Sequence, residues 1–329
     1  MIQLVDGDLV VGSSLKSAFE HTHFLRALAQ AFPQAVSKEF AFLGHWFTDE
    51  DVFGRKVDLN ATGMLATLDL LGEHTNGANA AGEAARRIAD LIDKLAASEL
   101  RSNVSIKLTQ IGLKLDESLC EKNLKGLLQH AAQHGIFVRI DMEESACVDA
   151  TLRIYHQMRA AGFENVGVVL QSYLYRTQSD AMDLLQEGTR VRLVKGAYME
   201  PPDRAFPKKS DADASFDRVT DLMLHETMHS EASKNGHIAW PPIAAIGTHD
   251  SARIDFAKNH GREIGLPKEK LEFQMLYGIR RDLQVQLVSE GYPVRVYVPF
   301  GTEWYPYFMR RLAERPANLW FFISNLLRR

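Results

Sequence analysis

The sequence predicts an α/β fold, a (βα)8 barrel of the TIM type preceded by an N-terminal helical arm. Three observations carry this. Eight short apolar or β-branched runs recur from residue 65 onward, and amphipathic helical stretches separate them. The glycine fingerprints of an open doubly wound sheet, G-x-G-x-x-G and G-x-x-x-x-G-K-[ST], are absent. With 329 residues the chain is long enough for a barrel with an extension, since such barrels run to roughly 250 residues.

In chain order, residues 1–60 form the arm. Here "SLKSAFEHTHFLRALAQAF" and "SKEFAFLGHWF" carry helical apolar spacing, broken at Pro33. Residues 61–329 form the barrel. Its runs are "LATLDLLG" (65–72), "VSIKLT" (104–109), "FVRIDME" (137–143), "VGVVLQS" (166–172), "VRLVKGA" (191–197), "AAIGTHD" (244–250), "LEFQMLYG" (271–278) and "VRVYVPFG" (294–301). Helices such as "EAARRIADLIDKLAASEL" and "ESLCEKNLKGLLQHAAQHG" lie between them, the second closed by Gly135 as a C-terminal glycine closes a helix. After the fifth run, "MEPPDRAFPKKSDADAS" (199–215) is rich in Pro and charge; it reads either as a loop over the active face or as a plain surface loop. The last predicted helix starts at Pro306 and stops near Arg315, because Pro316 restricts its predecessor.

Composition sets the class. At 46% hydrophobic, 24% charged and net charge -4, the chain is an ordinary globular protein without the basic block that tracks phosphates, which disfavours nucleic acid. Cys120 and Cys147 have no C-x-x-C spacing, so two buried thiols are expected and no disulfide framework or zinc knuckle. The N-terminal "MIQLVDGDLVVG" lacks the basic residues of a signal peptide, and no apolar run reaches the roughly 18 residues of a span, so a cytoplasmic location is expected. The C-terminal "LWFFISNLLRR" reads either as a packed helix or as a segment touching the inner face of the cell membrane.

Residues at the C-terminal ends of barrel strands face one mouth. Here they are Glu73, Lys107, Asp141, Gln171, Arg192, Lys195, Thr248, His249, Gln274 and Tyr297. Lys107 and Asp141 sit among apolar neighbours, where an isolated charge costs several kcal/mol, so they are expected to pair, for structure or for function. Arg192 and Lys195 differ by three and should point to opposite faces, while Gly196-Ala197 lets a flat ligand approach the backbone. On the last helix Tyr307, Arg310, Arg311 and Glu314 share one face. Two guanidiniums and a phenol suit an anionic, partly apolar ligand; alternatively the arginines pair with Glu303 or Glu314 on a solvated face. A rival signal is "HETMH", where His225, Glu226 and His229 match the H-E-x-x-H zinc-hydrolase pattern. It belongs to the helix after the fifth strand, which should cover the barrel exterior, and no metal site is expected.

The ordered set "LDLLGE", "SIKLTQIGL", "RIDMEE", "VLQSYL", "RLVKGAY", "GTHD", "LEFQMLYG" and "RVYVPFGTEWYPYFMRRLAERPANLWF" resembles the proline dehydrogenases, FAD-dependent (βα)8 barrels, from about residue 65 to the end. The resemblance implies oxidation of L-proline to 1-pyrroline-5-carboxylate by hydride transfer to flavin N5, with electrons passed to a membrane quinone and the product taken by a dehydrogenase on a separate chain. It assigns catalytic importance to Asp141, Arg192 and Tyr297. Lys107, Tyr198, Tyr307, Arg310 and Arg311 would line the proline site, with Glu73 gating it against Arg310. Met142, Gln171, Arg192, Lys195, Gly196, Ala197, Thr248, His249, Glu314 and Phe321 would hold FAD. Asp250 stands where many members have Asn, and Phe216 where a tyrosine is common. Members that prefer hydroxyproline tend to have a smaller residue at position 307, so Tyr307 implies proline. A barrel that had lost catalysis would have lost these charged positions, and every one is present.

Overall fold

The computed structural model describes residues 2–5, 8–11, 59–72, 75–98, 100–229 and 240–301. The barrel lies in one compact unit of the chain, residues 48–301, and an N-terminal hairpin lies in a second. The hairpin pairs β1 (Ile2–Val5) with β2 (Asp8–Val11), antiparallel, with Val5 opposite Asp8. The rest of the predicted arm up to residue 58, and the predicted last helix with Tyr307, Arg310, Arg311, Glu314 and Phe321, lie outside the described residues, as does Glu73.

All eight runs form strands: β3 (Leu65–Leu70), β4 (Ser102–Ile106), β5 (Val138–Ile140), β6 (Val166–Gln171), β7 (Val191–Val194), β8 (Ala244–Gly247), β9 (Leu271–Leu276) and β10 (Val294–Phe300). Each pairs in parallel with the next, and β10 returns to β3, closing the barrel. Between them run α1 (Ala78–Ala96), α2 (Glu117–Gln133), α3 (Ser145–Ala160), α4 (Thr177–Gln186), α5 (Lys209–His229), α6 (Ser251–Glu263) and α7 (Arg281–Ser289). The Asp116 carboxylate caps α2 by accepting from the Ser118 and Leu119 amides at 2.7 and 3.1 Å. Gly135, at φ 65, follows the C-cap His134 and takes the left-handed turn its sequence position predicts.

The hydrophobic core is the annulus between strands and helices. One alternate set of strand residues supplies it, including Leu68, Val104, Ile106, Val138, Val168, Leu193, Ile246, Phe273 and Val296, all buried against the inner faces of the helices. The other set points into the barrel and is largely polar: Thr67, Asp69, Asn103, Ser105, Arg139, Arg192, Glu272, Gln274 and Arg295 are all buried. Contacts across the barrel show that these side chains meet, as when Arg192 on β7 donates to the Ser105 hydroxyl on β4 at 3.1 Å. Gly167 on β6 makes room for them. A Cβ there would stand 2.3 Å from the Arg190 carbonyl oxygen and 2.8 Å from Nη1 of Arg139.

The segment after β7 lies against the same end of the barrel as the loop after β6. Tyr175 N–H donates to the Arg204 carbonyl, Phe206 N–H to the Tyr173 carbonyl, and the Glu200 carboxylate accepts from the Ser145 amide at 2.6 Å. Residues 199–208 thus lie among the loops that follow β5 and β6 and are largely exposed, and the last residues of the 199–215 stretch begin α5.

Candidate active site

Near the mouth, four charges from four strands converge with a phenol. Asp141, just past β5, is the hub. Nη1 of Arg192 donates to its Oδ1 at 2.6 Å and the Tyr297 hydroxyl to its Oδ2 at 2.7 Å. Arg192 is held on every side: Nε donates to the Gln274 side chain, Nη2 to Ser105, and the guanidinium lies 5.2 Å from the centre of the Tyr297 ring. The predicted pairing of Lys107 with Asp141 is present as an ion pair, but the shorter partner of Lys107 is Asp69, which the spacing of the charges did not suggest. Nζ of Lys107 bonds Oδ2 of Asp69 at 2.9 Å and stands 3.8 Å from Asp141. Asp69 is inward-facing on β3, two residues beyond Thr67, and register pairs it with Ser105 on β4, so Lys107 just past the end of β4 reaches it. The sequence does carry a sign of this: Asp69 stands alone in the apolar run "LATLDLLG", where a buried acid needs a cation.

The electrostatics follow from burial. Desolvation pushes the Asp69 carboxyl above its ordinary range, and the Asp141 carboxylate adds to that, while the Lys107 ammonium and the Tyr297 hydroxyl oppose it. Two acids and two bases balance here, so the ammonium and guanidinium are already matched. A substrate carboxylate would need further cations.

A second row of polar groups follows the ends of β6, β7 and β8. Gln171 is level with Val194, and Val194 with Gly247, so Gln171, Lys195 and Thr248 fall on adjacent strand ends around the mouth. The Gln171 amide donates to the Glu143 carbonyl at 2.9 Å, and Glu143 in turn accepts from the Thr109 amide at 3.0 Å. Lys195 goes to the opposite side from Arg192, as its spacing predicts, and bridges Asp213 and Asp250. Although burial would raise it, the Asp250 carboxyl is drawn down to about 2 by Lys195, with help from the Ala252 amide that it caps. Nε2 of His249 accepts the Leu276 amide at 2.9 Å, which leaves Nδ1 as the protonated nitrogen of the neutral ring. Gly196, at φ 112, is required by a close approach, and the approaching group is Tyr173, whose ring carbons lie 2.2 Å from where a Cβ would be. Met142 is buried beside Asp141; Ala197 and Tyr198 are half-buried in the strand-end loop. Phe216 is fully buried on the inner face of α5.

The zinc-hydrolase pattern does not form a site as a unit. His225 on the exterior of α5 faces Asp221 and His260 of α6, while His229 is exposed. Both thiols are buried, and desolvation pushes Cys120 and Cys147 up to about 12. Among the described residues no helix is long and apolar enough to cross a membrane.

The proline dehydrogenase family pattern matches residues 54–323, which includes the whole barrel. The chain belongs to the proline dehydrogenase family. Proline dehydrogenase 2 of Bacillus subtilis (strain 168) is 43% identical over 271 residues, covering 82% of this chain and 84% of the relative. The proline dehydrogenase of Deinococcus radiodurans is 39% identical over 274 residues, covering 82% and 84%. Among solved structures, proline utilization A from Bdellovibrio bacteriovorus, inactivated by N-propargylglycine, superposes with a TM-score of 0.77 at 22% identity. It covers 96% of this chain, which spans 36% of that longer protein. That likeness supports the barrel fold. The curated relatives at about 40% identity support the activity: this family member is an enzyme, a proline dehydrogenase.

Proposed function

We propose that this proline dehydrogenase uses FAD to oxidise L-proline to 1-pyrroline-5-carboxylate and passes the electrons to a membrane quinone, as the first step of proline catabolism to glutamate. The observation that carries the reading is the Lys107–Asp69–Asp141–Arg192–Tyr297 cluster, which lies at the mouth of a barrel whose family is shown. When bound, FAD supplies the two-electron acceptor for the hydride that leaves C5 of the neutral amine; the nitrogen lone pair closes the C=N bond and the N–H proton is lost.

The residues present fit such a cofactor. Gln171, Lys195, Thr248 and His249 follow the ends of adjacent strands and would offer polar contacts to its ring edge and phosphates, with Arg192 as the fixed cation on the barrel-interior side. Met142, Gly196 and Ala197 would contribute surface and backbone to the same site. Asp141 locks Arg192, and the Gln274 and Ser105 contacts fix its plane, so its charge is in place before any reaction and needs no reorganisation. Tyr297 is oriented by donating its proton to Asp141 and presents the side of its ring to the substrate. Lys107, neutralised by Asp69, lends a donor without adding net charge. By resemblance to the family, the proline carboxylate would go to Arg310 and Arg311, with Tyr198 and Tyr307 walling the ring and Glu73 gating the site against Arg310; Glu314 and Phe321 would close the cofactor site. The imine would hydrolyse to the semialdehyde, a substrate for an aldehyde dehydrogenase.

Steady-state reduction of a soluble quinone analogue tests this. Proline should support turnover with a kcat/KM well above that of trans-4-hydroxyproline; a preference for hydroxyproline would reassign the substrate, and turnover with neither would reject the reading.

A further inference from the structure

Far from the mouth, α1 and α2 bring two imidazoles and a carboxylate together. His130 and His134 are spaced i and i+4 in "HAAQH" at the end of α2, so they share one face. Both turn Nε2 toward Oδ1 of Asp93 on α1, at 2.7 and 3.6 Å. The three ligand atoms lie within 4.8 Å of one another. The two rings meet edge to face at 79°, with centroids 5.2 Å apart; Nε2 of His130 donates to the Asp93 carboxylate, and a cation would take the place of that proton.

We propose that Asp93, His130 and His134 form a binding site for a zinc-class divalent cation that staples α1 to α2. Tetrahedral zinc with bonds of about 2.0–2.2 Å holds its ligand atoms about 3.3–3.6 Å apart; the His134 separation of 3.6 Å lies at the upper end of that range and the His130 separation of 2.7 Å just below it. Seating the ion needs the His130 nitrogen and the Asp93 oxygen to part by less than about 1 Å, with the three ligand atoms already within 4.8 Å of one another. The donor set chooses the metal: two neutral imidazoles and one carboxylate favour zinc over calcium or magnesium, which demand oxygen cages. All three side chains are partly exposed, so the ion has an entry path and water can take the fourth position.

Location sets the consequence. Helices of a (βα)8 barrel run back from the mouth, so the ends of α1 and α2 that carry Asp93 and His134 lie at the opposite face of the barrel. The site is thus a stability device, and the ion should raise Tm by binding the folded state without entering the catalytic cycle.

The test is calorimetric titration of zinc chloride into the tag-free holoenzyme, with Asp93→Asn, His134→Gln and His260→Gln as variants, each also scanned for Tm with and without zinc. The expected result is that Asp93→Asn and His134→Gln each lose one equivalent of zinc, or bind it at least about tenfold more weakly. They also lose the zinc-dependent rise in Tm, and His260→Gln keeps both. If the wild type binds no zinc, if Asp93→Asn and His134→Gln bind as many equivalents as the wild type with equal affinity, or if the lost equivalent follows His260, the assignment is overturned.

Discussion

Asp69 shows what a single residue contributes here. It is fully buried, its carboxyl is pushed up by desolvation, and its partner is the Lys107 ammonium at 2.9 Å. Deleting it leaves a buried ammonium with Asp141 at 3.8 Å as its nearest described anion, while Asp141 already serves Arg192 and Tyr297. Asp69→Ala should therefore destabilise the protein by about 3–5 kcal/mol, as breaking a buried pair does, read as a lower urea midpoint. A change below about 1 kcal/mol would show that the pair contributes nothing net. The residue scale is also where the sequence was least legible. That Lys107, Asp141, Arg192 and Tyr297 belong together was visible from their place at strand ends. The Lys107–Asp141 ion pair was legible too, but the shorter contact with Asp69 was not, because it depends on the register of β3 against β4, which puts Asp69 level with Ser105 and so within reach of Lys107.

At the level of elements, alternation and helical spacing made every barrel strand legible, while their ends were less so. The fifth run reads as 191–197, yet β7 stops at Val194, because Lys195 turns away to Asp213 and Asp250 and Gly196 takes a positive φ under the Tyr173 ring. The N-terminal hairpin went unread although "VDGD" places an Asp-Gly pair between two apolar runs, a strong hairpin signal. Two predictions belong at this scale. Gly167→Ala drives a methyl into the carbonyl of Arg190, the residue just before β7, and should cost about 1–3 kcal/mol, as overpacking does, by urea denaturation; an unchanged midpoint would contradict the packing described for β6 and β7. Asp250 links the end of β8 to the start of α6, and its folded carboxyl titrates at about 2 against an ordinary 3.8. A lowered acid pKa stabilises above the unfolded value and loses that stabilisation as pH falls through the folded one. The Tm advantage of the wild type over Asp250→Asn should thus shrink as pH falls from about 4 to about 2; a gap that widens in acid would contradict the assignment.

Taken as a whole molecule, the barrel places its hydrophobic core outside the strands and fills its interior with charge. Among the described residues, Lys107, Arg139, Arg192 and Arg295 are buried together with Asp69, Asp141 and Glu272, and Glu143 and Arg190 are buried close to the strand ends. Arg295 and Glu272 form a two-bonded pair at 2.9 and 3.0 Å, whereas Arg139 donates from Nη1 to the Val168 and Arg190 carbonyls and lies 5.0 Å from the centre of the Phe137 ring, and among the described residues its Nε and Nη2 have no hydrogen-bond partner. Burial, with Arg192 and Arg295 nearby, pushes the Arg139 pKa down. Arg139→Met should leave the barrel as stable or more stable, by up to about 4 kcal/mol, since an apolar side chain of similar length replaces an ill-matched buried cation. A large loss of urea stability would mean that the cation holds the interior together. Closure of the sheet follows from eight βα units, which the sequence displays; the polar interior could not be separated from a functional mouth by pattern alone, because both draw on the same inward-facing positions of the strands.

The central claim is that this polar mouth carries a flavin that proline reduces. The most direct measurement is the visible spectrum of the purified protein before and after anaerobic addition of L-proline. A flavin spectrum that bleaches with proline is the predicted result; a protein that stays colourless after incubation with FAD, or a bound flavin that proline leaves oxidised, would contradict the account.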